Sequence, residues 1–516
     1  MSKSNKLISN MVALSIKIVA TCVVQLVGTR IALTALGDDG FGLYNLLAGI
    51  IVLFTFLTGS LLISTQRYLS IAIGEGDDGK LCSIFNVSLL VHAIFAIGIF
   101  VSLFALKTLL FTAVLNINEG FKESASVMYN IIALSTSFTI LSIPYAALMN
   151  AHEDMVVFAG TEVISLVVKL FAAISLLFVH WDLLLTYTSL MCFSVILNAT
   201  LKYWWCDVKY LESRIDVHLM KNKPLLREMI SFVSWNALGS AAVVVRNQGV
   251  AVLLNVFYGT AINAAYGIAN QVNSLVLSFA TTLTTVFTPS IVQSRGEGNN
   301  KRMLDLAVFS SKLSFFVSSL IALPILVYLS DILVVWLKDV PLYTSEFVFW
   351  IVLAFLVQQL YPGINRAIYA VGQIRAYQIW TAIILVSIIP IGYVVLKLGF
   401  DVLSIMIMLF VLQVLTLFAT VYYAKKNCGL DVHTYIVDSI IKPCVLFITV
   451  YAVFNYFNLH IYQVQINHFI LWTLMNVLMC LIYTSLYYFV VLNKTEQHQM
   501  YSLISRYISN MRSKLS

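Results

Sequence analysis

Apolar runs of about twenty residues fill most of this chain, and polar residues occur mainly as short punctuation between them, the pattern of helices that cross a bilayer. Fourteen runs are legible, at about 10 to 36, 41 to 65, 81 to 108, 124 to 149, 156 to 179, 182 to 204, 229 to 257, 260 to 288, 305 to 329, 347 to 370, 376 to 397, 401 to 424, 440 to 458 and 468 to 492. They predict an all-α polytopic membrane protein with about 14 transmembrane helices, because backbone in lipid has to satisfy its polar groups within the segment.

The runs also repeat. At a constant, ungapped offset of 222 residues, Gly37, Tyr44, Leu53, Leu61, Gly74, Glu75 and Gly76 recur as Gly259, Tyr266, Leu275, Leu283, Gly296, Glu297 and Gly298. Apolar helices share leucines by chance, so the shared Gly-Glu-Gly at the same place in the span order carries the inference. The offset equals six spans, an even number, which gives both halves one orientation and an axis along the membrane normal. The expected organisation is two pseudo-symmetric six-helix lobes with a cleft between them, at 1–204 and 229–424. Residues 205–228 form a basic cytoplasmic linker that hugs the membrane, and 425–516 add two further transmembrane helices and a cytoplasmic tail.

Composition agrees: 60% of residues are hydrophobic, 11% are charged and mean hydropathy is +0.90, against about a quarter charged in soluble domains. The net charge of +7 is spread over many short loops with no dense basic stripe, which excludes a nucleic-acid module. With the N-terminus inside, twenty of the 31 basic residues fall in predicted cytoplasmic segments, six of them between Lys202 and Arg227. Only Lys107, Lys122, Lys338 and Lys397 fall on the other side. This asymmetry places both termini in the cytoplasm. The first run is too long for a signal-peptide core and is expected to stay as a helix. Seven cysteines without a CxxC pair predict neither a disulfide framework nor structural zinc.

Candidate chemistry then lies in the charges left inside the spans. Lys169 and Arg246 sit near span centres, with Lys17 and Arg30 inside the first. A cation at mid-bilayer costs about 2.5 to 3.5 kcal/mol and usually faces protein or water, so a basic interior suits an anionic cargo. Glu162 and Lys169, seven apart, share a helix face about two turns apart and each need a partner elsewhere; a polar network between helices and a lumen-facing role both stay open. Lys17, Lys312 and Arg366 lie nearer the cytoplasmic ends and are expected to snorkel. Asn263, Asn270, Ser274, Thr281 and Thr285 line one face of span eight, and Asn236, Ser240 and Asn247 cluster on span seven with Arg246 on the flank. Such stripes mean a wetted cavity or interhelix hydrogen bonds. His92, central in span three, is a candidate for proton coupling or simply a hydrogen-bonded histidine. Pro144, Pro324, Pro362 and Pro390 predict kinks.

Gly74 to Lys80 reads G-x-x-x-x-G-K, the opening of a phosphate-binding loop, but Leu81 replaces the required hydroxyl residue, no strand precedes it, and the repeat at Gly296 lacks the motif. No metal-ligand cluster, nucleophile elbow or large external loop is present in the sequence. The expectation is therefore no enzyme, no cofactor and no metal, and a membrane glycan polymerase or ligase is disfavoured.

Three stretches carry a family resemblance. They are Leu36, Gly37 and Phe41 to Tyr44; Ile143 to Ala147 with Ala151, His152 and Glu153; and Asn255 to Gly259 with Asn263 to Val272. The chain resembles bacterial polysaccharide-biosynthesis transporters, including O-antigen flippases of the multidrug/oligosaccharidyl-lipid/polysaccharide (MOP) exporter superfamily, whose members have a MATE-like fold. The resemblance implies two inverted-V lobes around a central cavity and alternating access. The implied cargo is an undecaprenyl-pyrophosphate-linked oligosaccharide, moved to the periplasmic leaflet of the bacterial cytoplasmic (inner) membrane for lipopolysaccharide or other surface glycan. Membrane lipids, H+ or Na+ as coupling ion and glycan polymerase machinery are the implied partners. Arg30, Lys169 and Arg246 would attract the pyrophosphate, Asn236, Asn247, Asn263 and Asn270 the sugars, and Glu162 and His92 are ion-coupling candidates. The alternative is a cation-coupled multidrug exporter of the same superfamily, which would be expected to carry acidic cavity residues; Glu162 is the clear mid-span carboxylate.

Overall fold

Every element of the computed structural model that spans the apolar runs is a helix; it describes residues 3–52, 55–111, 122–179, 181–337, 340–461, 468–498 and 500. The helices are α1 (Lys3–Val52), α2 (Thr55–Glu75), α3 (Asp78–Leu109), α4 (Lys122–Ala151), α5 (Met155–Ser175), α6 (Leu183–Lys209), α7 (Lys223–Gly296), α8 (Asn300–Val327), α9 (Leu329–Leu337), α10 (Thr344–Gln358), α11 (Pro362–Val371), α12 (Arg375–Val386), α13 (Ile388–Lys397), α14 (Leu403–Cys428), α15 (Val432–Tyr435), α16 (Lys442–Ile461) and α17 (His468–Leu486). Among the described residues twelve helices are long and apolar enough to cross a membrane, and thirteen if α10 and α11, bent by 43° at their junction, form one broken span. These match every predicted span but the second, which crosses Leu53 and Phe54, outside the described residues. The chain is an all-α polytopic membrane protein.

Contacts divide it into two compact units, Ser9–Ala241 and Ala242–Ser516 together with Met1–Ile8, so the division falls inside α7. In the first unit α4 is the central helix, packed on α2, α3, α5 and α6. Its C-terminal third, from Ile143 to Ala151, is buried without interruption. The linker after α6 belongs to this unit and is pinned to α3: Asn86 Nδ2 donates to the Arg214 carbonyl at 3.1 Å, and the Asp216 amide donates to Asn86 Oδ1 at 2.7 Å. In the second unit α8, α10, α11, α12 and α14 pack together, and α16 and α17 attach along α8.

The sequence repeat has a structural counterpart at each glycine that needs one. Gly37 (φ 69°, ψ 174°) and Gly259 (φ 79°, ψ −168°) break α1 and α7 at equivalent positions, in a backbone region that only glycine occupies readily. Gly76 and Gly298 end the following helices in the left-handed conformation. Asp77 and Asn299 then cap α3 and α8 by accepting from the amides of Lys80 and Arg302. The ion pair Lys80–Glu75, at 2.6 Å, recurs as Arg302–Glu297 at 2.7 Å. Gly74 to Lys80 is thus a turn between helices with its lysine paired. No atom lies within 4 Å of a Cβ built on Gly37 or Gly259, so alanine there meets backbone strain and no clash. Gly37→Ala and Gly259→Ala are each expected to cost about 1–3 kcal/mol, read as a lowered midpoint in thermal unfolding in detergent; an unchanged midpoint in both would remove the conformational reason for the repeat.

Candidate functional site

Arg246 emerges from α7 inside the second unit, beside Asn247 in a mainly apolar span. Its Nε and Nη2 donate to Asn247 Oδ1 at 3.1 and 3.0 Å, and Nη1 reaches Gln413 Oε1 on α14 at 3.4 Å. Gln413 Nε2 in turn donates to the hydroxyl of Tyr361, the residue that caps α11 at the break from α10. The chain Arg246–Gln413–Tyr361 therefore ties the guanidinium to a broken helix. Arg246, Tyr266, Asn270, Asn273, Gln358 and Gln413 line a polar pocket of about 50 Å³, with room for a few waters. Among the described residues the lining contains no carboxylate. Asn273 Oδ1 is buried without a bonding partner among the described residues.

The break itself is fully built. The Gly363 amide donates to Ser311 Oγ on α8 at 3.0 Å and the Ile364 amide to the same oxygen at 3.4 Å, while the Leu360 carbonyl accepts from Tyr435 at 2.5 Å. Interrupted helices at membrane depth persist where freed backbone groups find such partners.

The polar stripe on the second half of α7 is not spent on neighbouring helices. Ser274 Oγ donates to the Asn270 carbonyl, Ser278 to Ser274, Thr281 to Ser278 and Thr285 to Thr281, all on the same helix. Gly267, Gln271, Ser274 and Thr281 are exposed along this face. On α3, by contrast, the exposed face is Ile94, Ile97, Val101 and Phe104. Small and polar residues suit water and the aliphatic and aromatic ones suit acyl chains, so the stripe reads as a wetted face. The Asn263 side chain lies outside the described residues.

The candidates of the first unit part company. Glu162 on α5 receives Lys202 Nζ from α6 at 2.6 Å, Asn198 Nδ2 at 2.9 Å and Lys17 Nζ from α1 at 3.9 Å. Both ammonium groups also sit 5.0 Å from the centre of the Phe158 ring. Lys169 lies near Lys17, half-buried, with no ion pair among the described residues. Two lysines thus converge on one carboxylate, with a third beside them. Lys202, counted from the sequence among the cytoplasmic cations, lies inside this cluster, because α6 continues to Lys209. Lys17 pairs instead of snorkelling. Lys312 likewise does not snorkel: it is buried and paired with Glu496 at 2.9 Å. His92 is fully buried, its Nδ1 2.7 Å from the Ser88 carbonyl and its Nε2 unbonded among the described residues. Asn236 is buried in the first unit, and Ser240 accepts from Ser60 at 3.3 Å. Arg30 stands exposed on α1 in line with Val19, Val23 and Val27.

Gln413, Tyr361, Asn273 and Lys202 were not among the sequence candidates. A glutamine inside the apolar run at 401 to 424 was the available signal for the first; the others gain meaning only from tertiary contacts.

No family model and no curated protein sequence matches the chain. Solved structures do. It is similar to a multidrug resistance MATE family transporter of the MOP superfamily in an outward-facing conformation, with TM-score 0.72 and 11% identity over 83% of this chain and 96% of that one. A MATE structure in the straight conformation follows at TM-score 0.71, with the same identity and coverage. A MOP superfamily transporter from Pyrococcus furiosus, described as having a binding pocket of reverse polarity that suggests a different function, likewise gives TM-score 0.71, 11% identity and the same coverage. At this identity the likeness is one of fold: a multi-pass membrane-transporter fold, MATE-like, as the resemblance in the sequence implied.

Proposed function

We propose that this protein is a flippase that moves undecaprenyl-pyrophosphate-linked oligosaccharide from the cytoplasmic to the periplasmic leaflet of the bacterial inner membrane by alternating access, with both termini cytoplasmic. One observation carries the reading: Arg246, inside a span, is held by the side-chain amides of Asn247 and Gln413, with no carboxylate among the described residues that line its pocket. A guanidinium taken from water without a counter-charge is costly, and an anionic headgroup supplies the missing partner with charge-assisted, two-pronged hydrogen bonds. The excess of lysine over Glu162 in the first unit has the same sign. On this reading Arg246 attracts the pyrophosphate, and Asn247, Asn263 and Asn270 with the hydroxyl stripe of α7 meet the sugars.

The second reading, a cation-coupled multidrug exporter, is favoured by the names of the structural neighbours. It needs a carboxylate open to cations, and Glu162 is already engaged by Lys202 and Lys17. Proteoliposomes scored for leaflet exchange of a labelled pyrophosphate-linked sugar separate the two. Arg246→Gln is expected to slow exchange about tenfold or more, the loss of one charge-assisted contact, with insertion and elution unchanged. Exchange at the wild-type rate in this variant, or cationic-drug efflux abolished by Glu162→Gln, would transfer the assignment to the exporter.

A further inference from the structure

The second unit carries another cavity, which shares no lining residue with the Arg246 pocket. It opens where the end of α8, the short α9, the start of α10 and the end of α16 meet, and it measures about 530 Å³, a size typical of small-molecule sites. On the proposed topology this end of α8 lies with Lys338 on the side opposite the termini. Four aromatic residues line it: Tyr328, which caps α8, Phe349 and Trp350 on α10, and Tyr451 on α16. The Phe349 ring centre is 5.8 Å from that of Trp350 and 6.4 Å from that of Tyr451, so the rings meet across the two helices. Aromatic residues of an ordinary interfacial belt face headgroups around a bundle; these converge on one cavity.

The polar groups between the rings have one dominant character. Asp331 on α9 is half-buried, Glu346 on α10 is exposed, and Asn455 on α16 adds an amide. No lysine or arginine is among the described residues of the lining. An ionised carboxylate only accepts hydrogen bonds, so the cavity selects hydroxyl and ammonium donors and repels carboxylate and phosphate. Its polarity is opposite to that of the Arg246 pocket, where a guanidinium donates. The flat rings offer apolar surface to a ligand that is itself a ring. A sugar combines hydroxyl donors with an apolar face.

We propose that this cavity is a glycan site that takes neutral or amino sugars and rejects uronic acids, with the appended helix α16 as part of its wall. The proposal rests on the flippase reading for the origin of the sugar, and it narrows the cargo to glycans without acidic residues at the end that emerges here. Arg246 answers the charged end of such a cargo and this cavity the uncharged one.

Saturation-transfer NMR on the full chain in nanodiscs tests this with four probes: maltotriose, a glucosamine trimer, a galacturonic acid trimer and tetramethylammonium. The glucosamine trimer is expected to bind more tightly than maltotriose, and the galacturonic acid trimer not to bind. Asp331→Asn is expected to weaken the glucosamine trimer about tenfold or more, the loss of a charge-assisted bond, and maltotriose less. Trp350→Leu is expected to weaken both about two- to tenfold. Glu346→Gln, at an exposed position, has the same expected direction as Asp331→Asn and serves if that variant does not fold. Wild-type affinity for both sugars in the carboxylate variant and in Trp350→Leu overturns the site. So does a wild-type protein that binds neither sugar, or one that binds the galacturonic acid trimer as well as maltotriose. Tetramethylammonium binding that depends on Asp331, with no sugar bound, overturns the glycan assignment in favour of a cation. The flippase reading outlives each of these outcomes on Arg246. Unchanged lipid exchange in Arg246→Gln with sugar binding intact removes that reading and leaves the cavity a glycan site.

Discussion

Lys312→Met is expected to release the chain's C-terminal segment from α8 at a cost of about 3–5 kcal/mol, the range for breaking one side of a buried ion pair. Lys312 and Glu496 retain 2% and 9% of their side-chain exposure, so solvent screening does little to soften the loss. Their 2.9 Å contact is embedded in a tightly bonded junction. Lys312 Nζ also reaches the Val491 carbonyl, Glu496 accepts from the Asn493 amide, and Asn493 Oδ1 accepts from the Glu496 amide. Tyr487 donates to the Lys312 carbonyl at 2.7 Å, and Tyr483 meets Ser319 at 2.6 Å. Removing the lysine strands a buried carboxylate whose remaining partners are all local. Hydrogen exchange of residues 487–498 should rise sharply in Lys312→Met and in Glu496→Gln. The apolar pair Lys312→Met with Glu496→Leu should recover most of the protection, because two matched apolar groups carry no stranded charge. Unchanged exchange in both single variants would mean that the ion pair does not hold this segment and that apolar contact and the tyrosine hydrogen bonds suffice.

This junction also shows where the sequence stops being legible. The spans follow from apolar run length, and the repeat follows from letters whose physical content is local: a glycine that must adopt positive φ, a cap, and an ion pair one turn apart at Glu75 and Lys80 or Glu297 and Arg302. Arg246 is conspicuous because any cation in such a run is. Partnership over distance leaves no such mark. Glu496 lies 184 positions from Lys312, and without it the lysine reads as a snorkelling residue near a helix end. Lys202, at the end of the sixth run, counts as a cytoplasmic cation until the length of α6 is known, and only then does Glu162 acquire two lysines and lose the profile of an open cation site. The α7 stripe is visible as spacing, but the choice between wetted face and interhelix bonding depends on where each hydroxyl points.

Gly363→Ala is expected to cost about 3 kcal/mol or more, at or beyond the upper end for overpacking, because its new methyl would meet backbone. A Cβ built there lies 2.0 Å from the Ala307 carbonyl oxygen and 3.0 Å from both its carbon and Ser311 Oγ. No rotamer change relieves a clash with a helix backbone, so α8 and α11 must separate. Separation stretches the bonds by which Ser311 caps the amides of Gly363 and Ile364, and it moves Tyr361, two residues earlier, away from Gln413. Loss of stability should therefore come with weakened anion binding at Arg246. Gly160, on α5, is the control: nothing lies within 4 Å of its Cβ, so Gly160→Ala should be neutral or stabilise by about 0.5–1 kcal/mol. Thermal unfolding of the two variants, with pyrophosphate titration of the surviving Gly363→Ala protein, decides the matter. Equal midpoints would show that α8 and α11 have slack at the break, and normal pyrophosphate affinity would show that Tyr361 does not transmit the helix break to the arginine.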